Sequence, residues 1–228
     1  LGLKGQAGRP AGAPPGLKGM DHLTYAAYVN SIRPAMPQTS APQPSRQRRS
    51  RAAMAESTRA RLVATARRAF AAQGYAQTSM DDFTREAGLT RGALYHHFGG
   101  KPGLLAAVIG QIEAEVGGRL DAVSRAAPTP WEGFCRRCRT YLELALEPEI
   151  RRVILQDARA VFGDVPQPAQ SVGIAALEAA LQELIAQGTV APLHAGAMAR
   201  MLYGVVTEAS FWIAEPDGDP EARLADAL

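Results

Sequence analysis

From Leu62 to Phe70 apolar residues recur every three or four positions, at Leu62, Val63, Ala66, Ala69 and Phe70. That spacing predicts an amphipathic helix from about Ser57 to the breaker Gly74. A shorter helix follows. Met80, Phe83 and Ala87 form its inward face, Ser79 stands at its N-cap, and Asp82 occupies the capping-box position three residues on. Gly88 ends it, and Thr90 is placed to cap a third helix, Arg91 to Phe98, anchored by Leu94 and Phe98 one turn apart. Two short helices joined by "AGLT", Ala87 to Thr90, make a helix-turn-helix signature.

Beyond Lys101 the same period continues in longer runs. Pro102 sits where a first helical turn accepts proline, and Leu104, Leu105, Val108, Ile109, Ile112 and Val116 give a long apolar stripe. Further helices are expected over about 130–146, 148–162, 167–187 and 193–214, with residues 220–228 opening a last one. No segment alternates with period two for long enough to argue a strand, so the expected architecture is all-α. Residues 1–45 break the pattern: they hold thirteen Gly or Pro and repeat "GLKG" at Gly2–Gly5 and Gly16–Gly19, a composition that predicts disorder. Since the chain opens on Leu1 and carries Met20, Met36 and Met54, the natural start is expected inside the sequence. The resulting division is a Gly/Pro-rich tail with a basic arm over 1–54, a helix-turn-helix unit over 55–101 and a longer helical domain over 102–228.

Composition changes this picture in two ways. At 228 residues and 46% hydrophobic the chain can bury a sizeable core, and no apolar run reaches the ~18 residues of a membrane span. No compact secretory signal opens it and two cysteines are too few for a disulfide framework, so a cytoplasmic location is expected. Charge is the second change. The net +3 hides a polarised chain: residues 46–101 carry eleven Arg/Lys against four Asp/Glu, a balance of +7, whereas residues 102–228 carry ten against seventeen, a balance of −7. The basic block suits a polyanion, and the run "SRQRRSR", Ser45 to Arg51, reads as a flexible phosphate-binding arm.

The segment "GYAQTSMDDFTREAGLTRGALYHHFGGKPGLL", Gly74 to Leu105, closely resembles the DNA-binding domain of the tetracycline-repressor (TetR) family of bacterial transcriptional regulators. The resemblance rests on Gly-Tyr after helix one, Thr-Ser before helix two, Ala-Gly-Leu-Thr at the turn, Leu-Tyr-His-His-Phe in the recognition helix and a Lys three residues further. Phe83 and Thr84 stand where Ile and Ala are commoner, and Pro102-Gly103 replaces a polar pair. Beyond Leu105 the likeness thins, although "LQDARAVFG" and "ALEAALQELIAQGTVAPL" look like the C-terminal half of many members. The resemblance implies a homodimeric repressor, without cofactor, that leaves an inverted-repeat operator in double-stranded DNA when a small molecule binds.

On a helix anchored inward by Leu94 and Phe98, Gly92 and His96 lie on the opposite face, flanked by Ala93, Tyr95 and His97. Small Gly92 and Ala93 let the backbone approach a major groove, while His96 and Arg91 reach base edges, Arg91 pairing with a guanine. The resemblance assigns Tyr95, His97 and Lys101 to phosphates and adds Thr78 and Ser79 at the N-terminus of helix two, with the cap Thr90 beside them. An effector pocket inferred from helical faces comprises Cys138, Tyr141, Leu142, Ile154, Phe162 and Met198, which suits an apolar or aromatic molecule. The last two long helices carry stripes, Ile174, Leu177 and Leu181 on one and Met201, Leu202, Val205, Ala209 and Trp212 on the other, that suit a two-fold four-helix dimer interface.

Other chemistries fare less well. Adjacent histidines point about 100° apart on a helix and have no carboxylate at i+3 or i+4, which argues against a metal. His22 lies in the tail, and His194 fits a loop or cap before the helix that follows it. "CRRC", Cys135 to Cys138, places two sulfurs on one helix face among Arg136, Arg137 and Arg139, and a thiol-based redox sensor is the alternative it supports. Phosphate loop, nucleophile elbow and carboxylate–histidine pair are all missing, so no enzyme is expected. A DNA-binding regulator without an effector shares every feature of the first hundred residues; an internal cavity between the helices of 102–214 separates the two.

Overall fold

The computed structural model describes residues 46–88, 90–163 and 167–228, with side chains from 53 onward except at 167–169. The expected Gly/Pro-rich tail, its repeat, Met20, His22, Met36, Ser45 and the turn residue Leu89 lie outside the described residues. Among the described residues nine α-helices follow one another: α1 Arg46–Gln73, α2 Met80–Glu86, α3 Arg91–Phe98, α4 Lys101–Arg125, α5 Pro130–Glu143, α6 Arg159–Phe162, α7 Gln167–Ala186, α8 Ala195–Ala214 and α9 Pro220–Ala227. A 3₁₀ turn, Leu144–Leu146, and a π-helical segment, Ile150–Ala158, connect α5 to α6. The all-α expectation holds, and no strand occurs among the described residues.

Local chemistry sets most helix starts. Ser79 Oγ accepts from Asp82 N at 3.3 Å, Thr90 Oγ1 from Ala93 N at 3.2 Å, Thr129 Oγ1 from Glu132 N at 3.2 Å and His194 Nδ1 from Ala197 N at 3.1 Å. Each satisfies one of the backbone donors that a helix N-terminus leaves without a partner. Gly99 closes α3 in the left-handed region at φ 67°, where a side chain would be strained. Two expectations need correction. Helix one begins at Arg46, so the stretch read as a flexible basic arm has a helical backbone from that residue on. The segment expected as an α-helix over 148–162 is instead π-helical over nine of its residues, Ile150–Ala158, where the backbone bonds run i→i+5 and the turn is wider.

Packing joins the two halves through α4. Leu62, Ala66 and Phe70 of α1, Phe83 of α2, and Leu94 and Phe98 of α3 belong to one continuous core with Leu104, Leu105, Val108, Ile109 and Ile112 of α4. That core runs on to Leu142, Val153 and Ile213. Residue 101/102, the expected domain boundary, falls in the first turn of α4, where the core does not divide. A second, smaller cluster of Leu177, Leu181, Ala199 and Tyr203 lies between α7 and α8, with Phe134, Cys138, Ile174, Met198 and Leu202 against it.

Candidate DNA interface and effector cavity

Leu94 and Phe98 are 0% and 2% exposed, and burial of side chains of this size stabilises by roughly 1.5–3 kcal/mol each. They pin α3 so that its other face points outward. Arg91, Gly92, Tyr95 and His96 are exposed and Ala93 and His97 half-buried, with Tyr95 59% exposed despite its large ring. Arg61 of α1 donates to Ala87 O at 2.7 Å, fixing the end of α2 against α1. The predicted reading residues therefore share one accessible face on a helix held from behind.

Their states differ. Arg91 Nε pairs with Asp81 Oδ1 at 3.2 Å in an exposed contact that opens at little cost. His97 is held below the usual imidazole range, first by burial, then by His96 and Arg59, against a smaller raising by Glu56. Lys101 stands 4.4 Å from the centre of the Tyr75 ring and donates to Ala76 O at 3.5 Å, with its pKa lowered by burial. Thr78 departs from its expected role: it is 5% exposed and its hydroxyl donates to Gly74 O at 2.8 Å. Its side chain closes the turn after α1, whereas Ser79 and Thr90 are exposed at helix N-termini.

Sequence reasoning missed the groups that tie this face to the rest of the molecule. Arg67 of α1 donates to Glu149 at 2.7 and 2.8 Å and to Glu115 of α4 at 2.7 and 2.8 Å. Both carboxylates raise its pKa. Asp157, on the π-helical segment, accepts from Tyr75 N at 2.7 Å, immediately beside the Tyr75–Lys101 contact. Burial pushes the Asp157 carboxyl up, opposed by Tyr75 N–H, Arg152 and Lys101. The Arg67–Glu149 and Tyr75–Asp157 partners lie 82 residues apart in the chain, and no local signal announces them.

In the C-terminal half, Leu120, Arg137, Cys138, Tyr141, Gly173, Leu177, Tyr203 and Val206 line a partly open cavity of about 50 Å³ between α4, α5, α7 and α8. Cys138 and Tyr141 are where the sequence put them. Leu142, Ile154 and Phe162 pack in or against the main core, and Met198 against the second cluster, so none of the four lines the cavity. Their helical faces are apolar because they meet core, which spacing alone cannot distinguish from cavity. The dimer residues divide in the same manner. Met201 and Val205 are each 65% exposed and Trp212 38%, all on one face of α8. Leu177 and Leu181, at 6% and 3%, fill the chain's own core, Ile174 and Leu202 pack against that cluster, and Ala209 packs against the main core. The thiols give little support to redox chemistry: Cys135 is exposed, but Cys138 is pushed up by burial and by Cys135, against a smaller lowering by Arg137. Among the described residues no group of three or more His, Cys, Asp or Glu could hold a metal ion. No helix among them is long and apolar enough to cross a membrane.

A capped pair of short helices, the second pinned from behind and polar on its outer face, defines a helix-turn-helix DNA-binding regulator. Residues 62–108 match the description "Bacterial regulatory proteins, tetR family", and residues 131–228 match "Tetracyclin repressor-like, C-terminal domain". A TetR-family transcriptional regulator of Pectobacterium atrosepticum, known as a crystal structure, is 54% identical with a TM-score of 0.73, over 77% of this chain and 90% of that one. The regulator SrpR of Pseudomonas putida is 48% identical over 61 residues, 27% of this chain and 29% of SrpR. TtgR, also of Pseudomonas putida, is 33% identical over 105 residues, 43% of this chain and 48% of TtgR. The matched stretches thus span less than half the length of these two curated relatives. The chain belongs to the TetR family of transcriptional regulators, which are not enzymes.

Proposed function

We propose that this chain is a homodimeric repressor that reads an inverted-repeat operator and is released from it by an apolar or aromatic small molecule. The observation that carries the reading is the outward face of α3, Arg91, Gly92, Tyr95 and His96, held on a core that runs without a break into the domain containing the cavity. Arg91 and His96 read base edges, Gly92 and Ala93 admit the backbone to the groove, and Tyr95, His97, Lys101, Ser79 and Thr90 meet phosphates. Met201, Val205 and Trp212 supply the exposed apolar stripe that a second copy covers, setting the two recognition helices about 34–36 Å apart.

The cavity is far smaller than the roughly 300–1,000 Å³ of ordinary small-molecule sites. An effector must therefore push α4, α5, α7 and α8 apart. Because α4 also carries the core of the DNA-binding helices, and Arg67 and Asp157 clamp those helices to the segment after α5, expansion changes the spacing of the two α3 helices. A coupling of about 1–3 kcal/mol between effector and operator is the usual scale. Selection of bound sequences from a random DNA library, followed by affinity against salt, tests the reading. The expected result is a palindromic site with a steep salt slope; sequence-blind binding overturns it.

A further inference from the structure

Among the described residues that line the cavity, Arg137 alone carries a charge. It stands on α5 next to Cys138 and one turn before Tyr141, so three wall residues share one side of that helix. Its side chain is 13% exposed, and its charge reaches the Cys138 thiol. Its partner is Asp121 of α4, the residue after the wall residue Leu120, and Nη1 donates to Asp121 Oδ1 at 2.5 Å. Asp121 itself is no part of the wall and is 52% exposed. The pair therefore stands where the cavity opens, with its cation toward the wall and its carboxylate toward water. Among the described residues the guanidinium makes no second hydrogen bond, and Nε and Nη2 are not buried without a partner, so both are open to a further acceptor.

A guanidinium beside an apolar cavity is costly unless it is paired, and the pair it has is exchangeable. Asp121 is half exposed, so water solvates its carboxylate when the contact opens, and little stability is lost. A carboxylate arriving from the cavity side meets the same guanidinium in a drier place. It can accept from two donors at once, the planar fork that arginine offers. The rest of the wall sets what that carboxylate is attached to. Leu120, Leu177 and Val206, with the rings of Tyr141 and Tyr203, suit an aliphatic or aromatic body. A single cation limits the head to one negative charge, since the wall holds no partner for the second charge of a phosphate or a dicarboxylate. Residues 134–141 carry Arg136, Arg137 and Arg139 and no acid, so the nearest charges on α5 favour an anion although the domain as a whole carries a balance of −7.

We propose that the effector of this regulator is an apolar monocarboxylate, an aromatic or aliphatic acid whose head takes Arg137 from Asp121 while its body fills the widened cavity. This deepens the effector-released reading above and rests on its placing the effector in this cavity. The exchange is a swap of ion pairs in which no proton moves and no bond breaks: Asp121 passes to solvent as the ligand carboxylate takes its place. Because α4 carries Asp121 and α5 carries Arg137, the swap also unties one link between the two helices that the effector must push apart.

Two probes of the same shape test it on the full chain, phenylacetate and the neutral phenylacetamide. Binding is measured by calorimetry, and release of the protein from its selected operator by fluorescence anisotropy. The expected result is that the acid binds about tenfold or more tightly than the amide and that R137Q removes this preference. D121N separates a ligand contact from a merely structural role. With the competing carboxylate neutralised, phenylacetate should bind about threefold to fivefold more tightly and the amide as before. Melting temperature checks that R137Q folds, and if it does not, D121N decides by itself. Equal binding of the two probes, a preference retained in R137Q, an affinity for phenylacetate that D121N leaves unchanged or lowers, or no binding of either probe at millimolar concentration overturns the proposal. Arg137-dependent binding that leaves the operator complex intact sustains the acid site and overturns the release reading instead.

Discussion

The recognition helix and the effector cavity are built on opposite plans. Around α3 the structural polar groups are satisfied within a few residues, by Thr90 on Ala93 N and Gly99 on Tyr95 O, and the remaining polar side chains are left in water on one face. Between α4, α5, α7 and α8 the polar groups are set among apolar side chains instead: burial pushes the phenols of Tyr141 and Tyr203 up, and both lie against the buried Thr207 hydroxyl. The first arrangement is rigid and ready for a ligand that brings its own charge, a phosphate backbone. The second keeps its polar groups out of water, beside a cavity lined mostly by apolar surface.

Removing the anchor of the rigid region breaks this contrast most severely. Phe98→Ala should lower stability by about 3–5 kcal/mol in chemical denaturation and abolish DNA binding, because the ring is 2% exposed and its loss leaves a cavity behind the reading face. A smaller loss with binding intact would mean that α3 does not depend on its core contact.

Glu113 of α4, an acid weakened by burial whose charge reaches both phenols, gives the next effect, with a definite sign. Its folded pKa of about 8 lies above the value near 4.5 of an exposed glutamate, so between these pH values the unfolded chain binds fewer protons than the folded one. Stability therefore falls as pH rises from about 4.5 to 8, by up to about 1.4 kcal/mol per pH unit from this group. E113Q should flatten that slope in urea titrations at several pH values. An unchanged slope would place the carboxyl in water and remove the contrast between the two regions.

Gly173→Ala comes third. The new methyl must displace the Tyr203 ring, at a cost of about 1–3 kcal/mol, and both residues line the cavity. Weaker effector binding with an unchanged operator affinity is the expected outcome.

These sites differ also in how far the chain announces them. The caps of α2 and α3 are legible because donor and acceptor are three residues apart, and the anchors because Leu94 and Phe98 recur at one turn. The Arg67–Glu149 and Tyr75–Asp157 contacts are not, since each joins residues 82 apart and depends on how whole helices pack. Ile154 escapes its expected place for a related reason: α-helical spacing does not describe a segment whose wider π-helical turn directs that side chain to the main core. Thr78 shows that a polar residue beside a helix start has two uses, and only the bond to Gly74 O tells which is taken. Glu113 is silent in the sequence, a polar break in an apolar stripe, because burial of a carboxyl is visible only when the facing helices are known.

Within the reading face itself the effects are smaller and separate base contacts from phosphate contacts. His96→Ala should cost about 1–3 kcal/mol on the selected operator and leave random DNA unchanged, whereas Tyr95→Ala should weaken both alike. Equal losses on the two DNAs for His96→Ala would assign it to the backbone. The smallest effect concerns Asp81, which holds Arg91 in an exposed pair at 3.2 Å. Such a pair contributes only about 0.2–1 kcal/mol, so breaking it barely moves stability. Binding changes more legibly, because Asp81→Asn frees Arg91 and removes a negative charge beside the phosphates. Affinity should rise by up to about fivefold, in line with that energy, and more on the operator than on random DNA if Arg91 reads a guanine. An equal gain on both would mean that only the repulsion of phosphate by Asp81 was relieved, and Arg91 would then join Tyr95 among the contacts that position the helix without reading sequence.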